Sequence, residues 1–344
     1  MTSLLRACGL ALAFSTLAGA GPALAQGTSS NAQAQQERRE TQPLNNAPVW
    51  REVRSGNEGY SSLPGREMGV LVQSAGETWR QIRNGPVTVY GGWVLVLVVL
   101  AIAAFYGTKG ALKLHERPVG RVIERFNSLE RVTHWTVAIS FVVLAVSGLI
   151  MLFGKHVLLP LIGYTLFAWL TALAKNLHNF IGPLFILGVL MMIVVFIKDN
   201  FPTAADIRWL THPGLLSGKQ APSGRFNAAQ KGWFWAGVVL LGVVMGVSGL
   251  VLLFPNFEQT RATMQTTWIV HSAGGLILMA LSLGHIYIGT IGMEGAYQAM
   301  RKGYVDEAWA KEHHALWYDE VKGGAKSAPG GAMPAGAAQM REKS

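Results

Sequence analysis

Residues 268–289, WIVHSAGGLILMALSLGHIYIG, decide the fold. The run holds no Asp, Glu, Lys or Arg, and its 22 residues suffice for a helix to cross an apolar bilayer core. His271 and His285 interrupt it, fourteen positions apart. On a helix that spacing carries the second imidazole about 21 Å along the axis and back to nearly the same face. One helix therefore offers a nitrogen ligand near each membrane surface.

The rest of the chain agrees. Of 344 residues, 50% are hydrophobic and only 14% charged, and the mean hydropathy is +0.30. A soluble domain carries more charge, and no nucleic-acid partner is expected. Residues 1–25 read as a secretory signal, with Arg6, the apolar run LALAFSTLAGA and the small-residue end Ala23-Leu24-Ala25. Cys8, the single cysteine, lies within it. The mature chain is then without a thiol, which excludes cysteine-ligated iron-sulfur clusters, CxxCH haem attachment and disulfides. Its amino terminus is expected outside the cytoplasm, with the chain in the bacterial inner membrane.

Residues 26–90 are polar, with seven Arg and six Glu. The part over 26–48 reads as disordered. The later part, with Trp50, Tyr60, Leu71, Val72 and Trp79, reads either as a docking segment or as a solvated linker. Apolar segments follow at 91–107, 134–153, 177–197, 232–254 and 268–291. A sixth candidate, 157–174, carries Pro160 and Gly163. Charge decides against it. With five spans, the loops 108–133 and 198–231 face the cytoplasm and hold six and five Lys/Arg, against two in 154–176 and one in 255–267. Segment 157–174 is accordingly expected as an interfacial or partly re-entrant helix.

An internal repeat supports this frame. RFNSLERVTHW starts at Arg125 and RFNAAQKGWFW at Arg225; SGLIMLF starts at Ser147 and SGLVLLF at Ser248. Each half is a cytoplasmic RFN start, an outward helix ending in SGL, and an inward helix opening with His178 or His271. His134 then lies near the cytoplasmic start of its helix, so two depths pair off: His178 with His271 outside, His134 with His285 inside. Phe234 or its neighbours stand where the second half would repeat His134. Facing helices of a bundle build cofactor sites from inward side chains, and paired imidazoles without a thiolate suit six-coordinate b haem.

The expected fold is all-α and integral to the membrane. A four-helix diheme cytochrome b bundle fills 108–291, preceded by one extra transmembrane helix at 91–107 and a periplasmic N-terminal segment at 26–90, and followed by a cytoplasmic tail at 292–344. A lone intramembrane histidine also serves as a helix-joining hydrogen bonder, but ionisable residues at two matched depths argue for function. A zinc-type site would need all four imidazoles at one depth. His115, His156, His212, His313 and His314 fall in loops or the tail and read as solvated. Arg125, Arg131 and Arg225 read as membrane anchors of the positive-inside kind, or as partners of haem propionates or lipid phosphates.

RFNSLERVTHWTVAISFVVLAVSGL, NLHNFIGPLF, KDNFPTAADIRWL, RFNAAQKGWFW, HSAGGLILMALSLGHIYIG and WAKEHHALWY together resemble the gamma subunit of respiratory formate dehydrogenase, its membrane cytochrome b. The likeness runs from about Trp50 to Glu320. It implies two b haems, with axial ligands at His134, His178, His271 and His285. It also implies partners: a periplasmic molybdopterin subunit that oxidises formate and an iron-sulfur subunit that feeds the outer haem. Quinone would be reduced beside the inner haem, at a pocket implied to include Asn227, with Gln230 and His285 as further candidates. This subunit would pass electrons and reduce quinone without oxidising formate itself. Asn227 has a structural alternative as a helix cap, and Asn127 is its repeat copy. The cytochromes of nickel-iron hydrogenase and thiosulfate reductase share the histidine logic, and a haem-free membrane anchor is the alternative of a different class.

Overall fold

The computed structural model describes Glu37 and residues 50–51, 54–55, 59–63, 67–73, 75–212, 221–257 and 259–327. The expected signal at 1–25, the rest of the expected disorder at 26–48 and the end of the tail lie outside the described residues. The chain divides into two compact units, one ending at Glu77 and one starting at Thr78. In the first, strand β1 (Gly59–Tyr60) pairs antiparallel with β2 (Val70–Val72).

The second unit is helical. Five helices are long and apolar enough to span a membrane: α1 (Gly76–Lys109), α2 (Ser128–Val157), a third within Leu159–Asn200, and those over Ala228–Leu253 and Arg261–Gly292. The first starts well before residue 91, because Pro86 is absorbed in a π-helical stretch, Arg83–Tyr90, that keeps the chain helical without the missing N–H. Between α1 and α2 lies a short strand, β3 (Val122–Glu124). The third spanning helix, α3 (Leu159–Phe196), differs from expectation. Segment 157–174 is not a separate interfacial helix: beyond a kink at Gly163 (φ 75°), helix runs on to Phe196. No proline or glycine stands between Gly163 and Gly182, so nothing in the sequence stops it. A short helix α4 (Ala204–Leu210) leads to α5 (Ala228–Leu253) and α6 (Arg261–Gly292).

The hairpin of α2 on α3 is an inside-out helix pair. On α2, Thr133, Ser140, Ser147 and Gly154 recur every seven residues and are buried, whereas Val132, Ile139 and Val146 are exposed. Small and hydroxyl residues let helices approach closely in lipid, where apolar side chains lose nothing by facing outward. The serine hydroxyls return to their own helix: Ser140 Oγ donates to the Thr136 carbonyl at 2.7 Å.

The second hairpin repeats the first with one residue more. The RFN motifs are 100 residues apart and the SGL motifs 101. The additional residue is taken up inside α5, where Phe234–Leu241 is π-helical, while α2 is α-helical throughout. A π-turn accommodates one inserted residue without breaking a helix.

The buried core lies at the RFN end of the bundle. There α7 (Ala296–Lys302), strand β4 (Tyr304–Asp306), α8 (Glu307–His313) and α9 (Ala315–Ser327) fold back over the helix ends. β4 pairs antiparallel with β3, Ile123 opposite Val305. Phe126, Phe196, Phe234, Val305, Trp309 and Trp317 belong to one buried cluster.

Candidate functional site

The four intramembrane histidines meet as two pairs. His178 on α3 faces His271 on α6 with ring centroids 6.1 Å apart, and His134 on α2 faces His285 on α6 at 6.2 Å. Among the described residues no group of three or more His, Cys, Asp or Glu could hold a bare metal ion. A two-nitrogen site suits a metal that brings its own equatorial donors, as haem iron does. Two imidazoles bound to one metal from opposite sides, each at about 2 Å, have their centres about 6 Å apart. Both pairs fit that requirement.

At the SGL end the two halves use the same device. Ser147 Oγ lies 2.9 Å from His178 Nδ1, and Ser248 Oγ 2.9 Å from His271 Nδ1. The glycine of each motif lies directly against the ring: a Cβ on Gly148 would reach ordinary contact, 3.5 Å from His178 Cε1, and one on Gly249 would be tight, 3.3 Å from His271 Cε1. The SGL repeat is therefore a histidine seat. The sequence displayed it as a duplicated Ser-Gly inside apolar helices, but its role needed the inter-helix distance. One turn before His271, Trp268 meets Trp79 edge to face at 5.8 Å, with the Arg83 guanidinium 5.1 Å from the Trp268 ring.

The RFN end is built differently. His134 Nδ1 is buried without a partner, and His285 is stacked by Trp233 at 5.0 Å with ring planes 14° apart. The sequence put Phe234 or its neighbours at the repeat position of His134. Phe234 is buried in the core, and it is its neighbour that reaches the histidine.

Asn227 and Gln230 form a capping box at the start of α5. Asn227 Oδ1 accepts from the Gln230 N–H and Gln230 Oε1 accepts from the Asn227 N–H, each at 3.0 Å. Asn127 and Glu130 do the same at the start of α2. Both caps satisfy N–H groups that a helix start leaves free.

Arg125 and Arg225 are not surface anchors. Arg125 Nη2 donates to the Arg225 carbonyl at 2.8 Å and Arg225 Nη2 to the Arg125 carbonyl at 2.6 Å, a reciprocal clasp between the repeats. Arg225 also binds Glu130 at 2.8 Å and Asp199 at 2.5 Å. The equivalent partner for Arg125 would come from position 230, a glutamine. Arg125 instead lies 5.0 Å from the Trp309 ring and 5.4 Å from the Trp317 ring, with Nη1 unpartnered. Burial, then Arg225, push its guanidinium down to about 9, still charged at neutral pH. Arg131 reaches back to the Arg301 carbonyl at 3.1 Å.

His313 and His314 are likewise not solvated. They are 7% and 1% exposed, and His314 Nδ1 donates to the Gly224 carbonyl at 2.8 Å. The polar letters of WAKEHHALWY suggest a tail, but β4 pairing with β3 draws them over Arg125. His115 is exposed and pairs with Glu312 at 2.9 Å, and His156 is exposed.

Two related hairpins carrying facing histidine pairs define the class: a membrane helical bundle of the cytochrome b type. The family described as prokaryotic cytochrome b561 matches residues 125–303. The nitrate-inducible formate dehydrogenase cytochrome b556(Fdn) subunit of Escherichia coli K12 is 31% identical over 214 residues, 59% of this chain and 93% of that one. The formate dehydrogenase cytochrome b556(fdo) subunit of the same strain is 31% identical over 210 residues, 58% and 93% of the two chains. The Haemophilus influenzae cytochrome b556 subunit is 28% identical, over 58% and 83%. The chain belongs to the family of formate dehydrogenase cytochrome b subunits.

Proposed function

We propose that this chain is the membrane subunit that carries electrons from a periplasmic iron-sulfur partner, itself served by a molybdopterin formate-oxidising subunit, to quinone at the cytoplasmic face. The supporting observation is the two imidazole pairs, 6.1 and 6.2 Å between ring centres, set at two heights of one bundle. His178 and His271 hold one b haem; His134 and His285 hold the other. Such a group, when bound, supplies a one-electron carrier inside the hydrocarbon layer.

The chain's own residues do the rest. The spanning helices exclude water, and the SGL serines orient the outer ligands. At the RFN end Trp233 pins the plane of His285. The capping box occupies the side-chain oxygens of Asn227 and Gln230 and leaves their amino groups to donate to a quinone carbonyl beside His285. The Lys/Arg excess in the loops at this end supports a cytoplasmic position for it. Protons taken up by quinone there come from the cytoplasm while electrons arrive from outside. Each charge separated is worth about 2.3 kcal/mol per 100 mV.

A reduced-minus-oxidised spectrum of the purified chain tests the reading: a b-type alpha band is expected, and its absence would leave a haem-free anchor, with the histidines joining helices only. The choice of complex has a separate test in neighbouring genes. A molybdopterin formate dehydrogenase and an iron-sulfur partner are expected beside this gene; a hydrogenase large subunit or a thiosulfate reductase there would overturn the formate assignment.

A further inference from the structure

His178 and His271 each have a serine oxygen beside Nδ1, and His134 has no partner there. Ser147 Oγ donates its only hydrogen to the Val143 carbonyl at 2.7 Å, and Ser248 Oγ donates to the Val244 carbonyl at 2.6 Å. Each hydroxyl therefore has only lone pairs left for the imidazole 2.9 Å away. With Nε2 given to the haem iron of the reading above, Nδ1 is the N–H of both rings, and each serine oxygen is placed to accept from it. At the other pair, His134 Nδ1 is buried and meets no acceptor.

We propose that Ser147 and Ser248 are positioning residues that set the redox order of the two centres. An acceptor on Nδ1–H raises the basicity of the ligating nitrogen and so favours ferric iron. The SGL-end centre is thereby held at the lower potential and the RFN-end centre at the higher. Electrons entering at the SGL end run downhill to the RFN end. The inference rests on the diheme reading above and adds to it the residues that set the order of the two potentials.

The test is a potentiometric titration of the purified holoprotein with low-spin EPR of both haems. The SGL-end haem is assigned in His134→Ala, which leaves only that centre. Ser147→Ala and Ser248→Ala should each shift electron sharing about threefold toward the SGL-end haem, about 28 mV upward at 59 mV per tenfold. The g-values of that haem should change, and the RFN-end potential should stay put. Ser147→Thr keeps the hydroxyl and should restore the wild-type potential. Ser140→Ala is the control: Ser140 is as deeply buried on the same helix and bonds only to the Thr136 and Val137 carbonyls. Unmoved potentials in the Ser147→Ala/Ser248→Ala double variant with both haems present, or an equal shift in Ser140→Ala, would overturn the proposal. Loss of haem from Ser147→Ala but not from Ser147→Thr would support it, and loss from both would count against it. Wild-type protein lacking haem sinks the diheme reading itself, and is told apart from failure of this proposal by the untreated spectrum alone.

Discussion

The Asn227 side chain has one oxygen and one amino group, and the capping box engages the oxygen. Replacing it with aspartate keeps the acceptor and removes the donor; replacing it with alanine removes both. Asn227→Asp should therefore slow quinone reduction at unchanged haem content and thermal stability. Asn227→Ala should slow it too and also cost about 1 kcal/mol of stability. Steady-state quinone reduction beside a melting curve separates the two, and equal rates for Asn227→Asp and wild type would leave Asn227 a cap alone. The four spanning histidines were legible as residues because imidazoles are conspicuous in an apolar run. Ser147 and Ser248 were not, since a serine bonded to its own helix and one bonded to a neighbouring imidazole are spelled alike.

The π-stretch Phe234–Leu241 is where the second hairpin departs from the first. It rotates the RFN half of α5 against the SGL half by about one residue, roughly 100°, and brings Trp233 over His285 while Ser248 stays under His271. Deleting Leu240, which is 61% exposed, should return α5 to α-helical register and swing Trp233 off the imidazole. Haem should then be lost from the RFN-end pair and retained at the SGL-end pair, as read by haem content and the split of the alpha band. Equal retention at both would show that the bulge does not set the site. The change of repeat offset from 100 to 101 was visible in the sequence. What it did to the helix was not, because an inserted residue can equally be lost in a loop.

The unit that starts at Thr78 is a bilayer-spanning bundle closed at one end by a polar clasp. Its five spans were readable from hydropathy and charge. The closure was not: it depends on residues 122–124 pairing with 304–306, and on the Arg125 cation finding rings rather than a carboxylate, both long-range events. Burial holds the His313 and His314 imidazoles below their ordinary value of 6.5; Glu312 opposes this at His313, and Arg125 adds to it at both. The unfolded segment takes up protons near 6.5, so below that pH the unfolded state binds more protons and stability falls as pH drops. Protection factors for hydrogen exchange across Glu307–Ser327, taken relative to the intrinsic exchange rate at each pH, should fall between pH 7.5 and 5.5, and His314→Asn, which preserves a donor to Gly224, should flatten the response. Unchanged protection factors in the wild type would remove the histidines from the closure.

The central claim is that four histidines make two separate haem sites, and haem counting in single variants tests it most directly. Pyridine haemochrome assay of the purified chain should give two b haems per wild-type polypeptide, one in His134→Ala, one in His178→Ala and none in the double variant. A wild-type count of one or zero, or a full complement in both single variants, would contradict it.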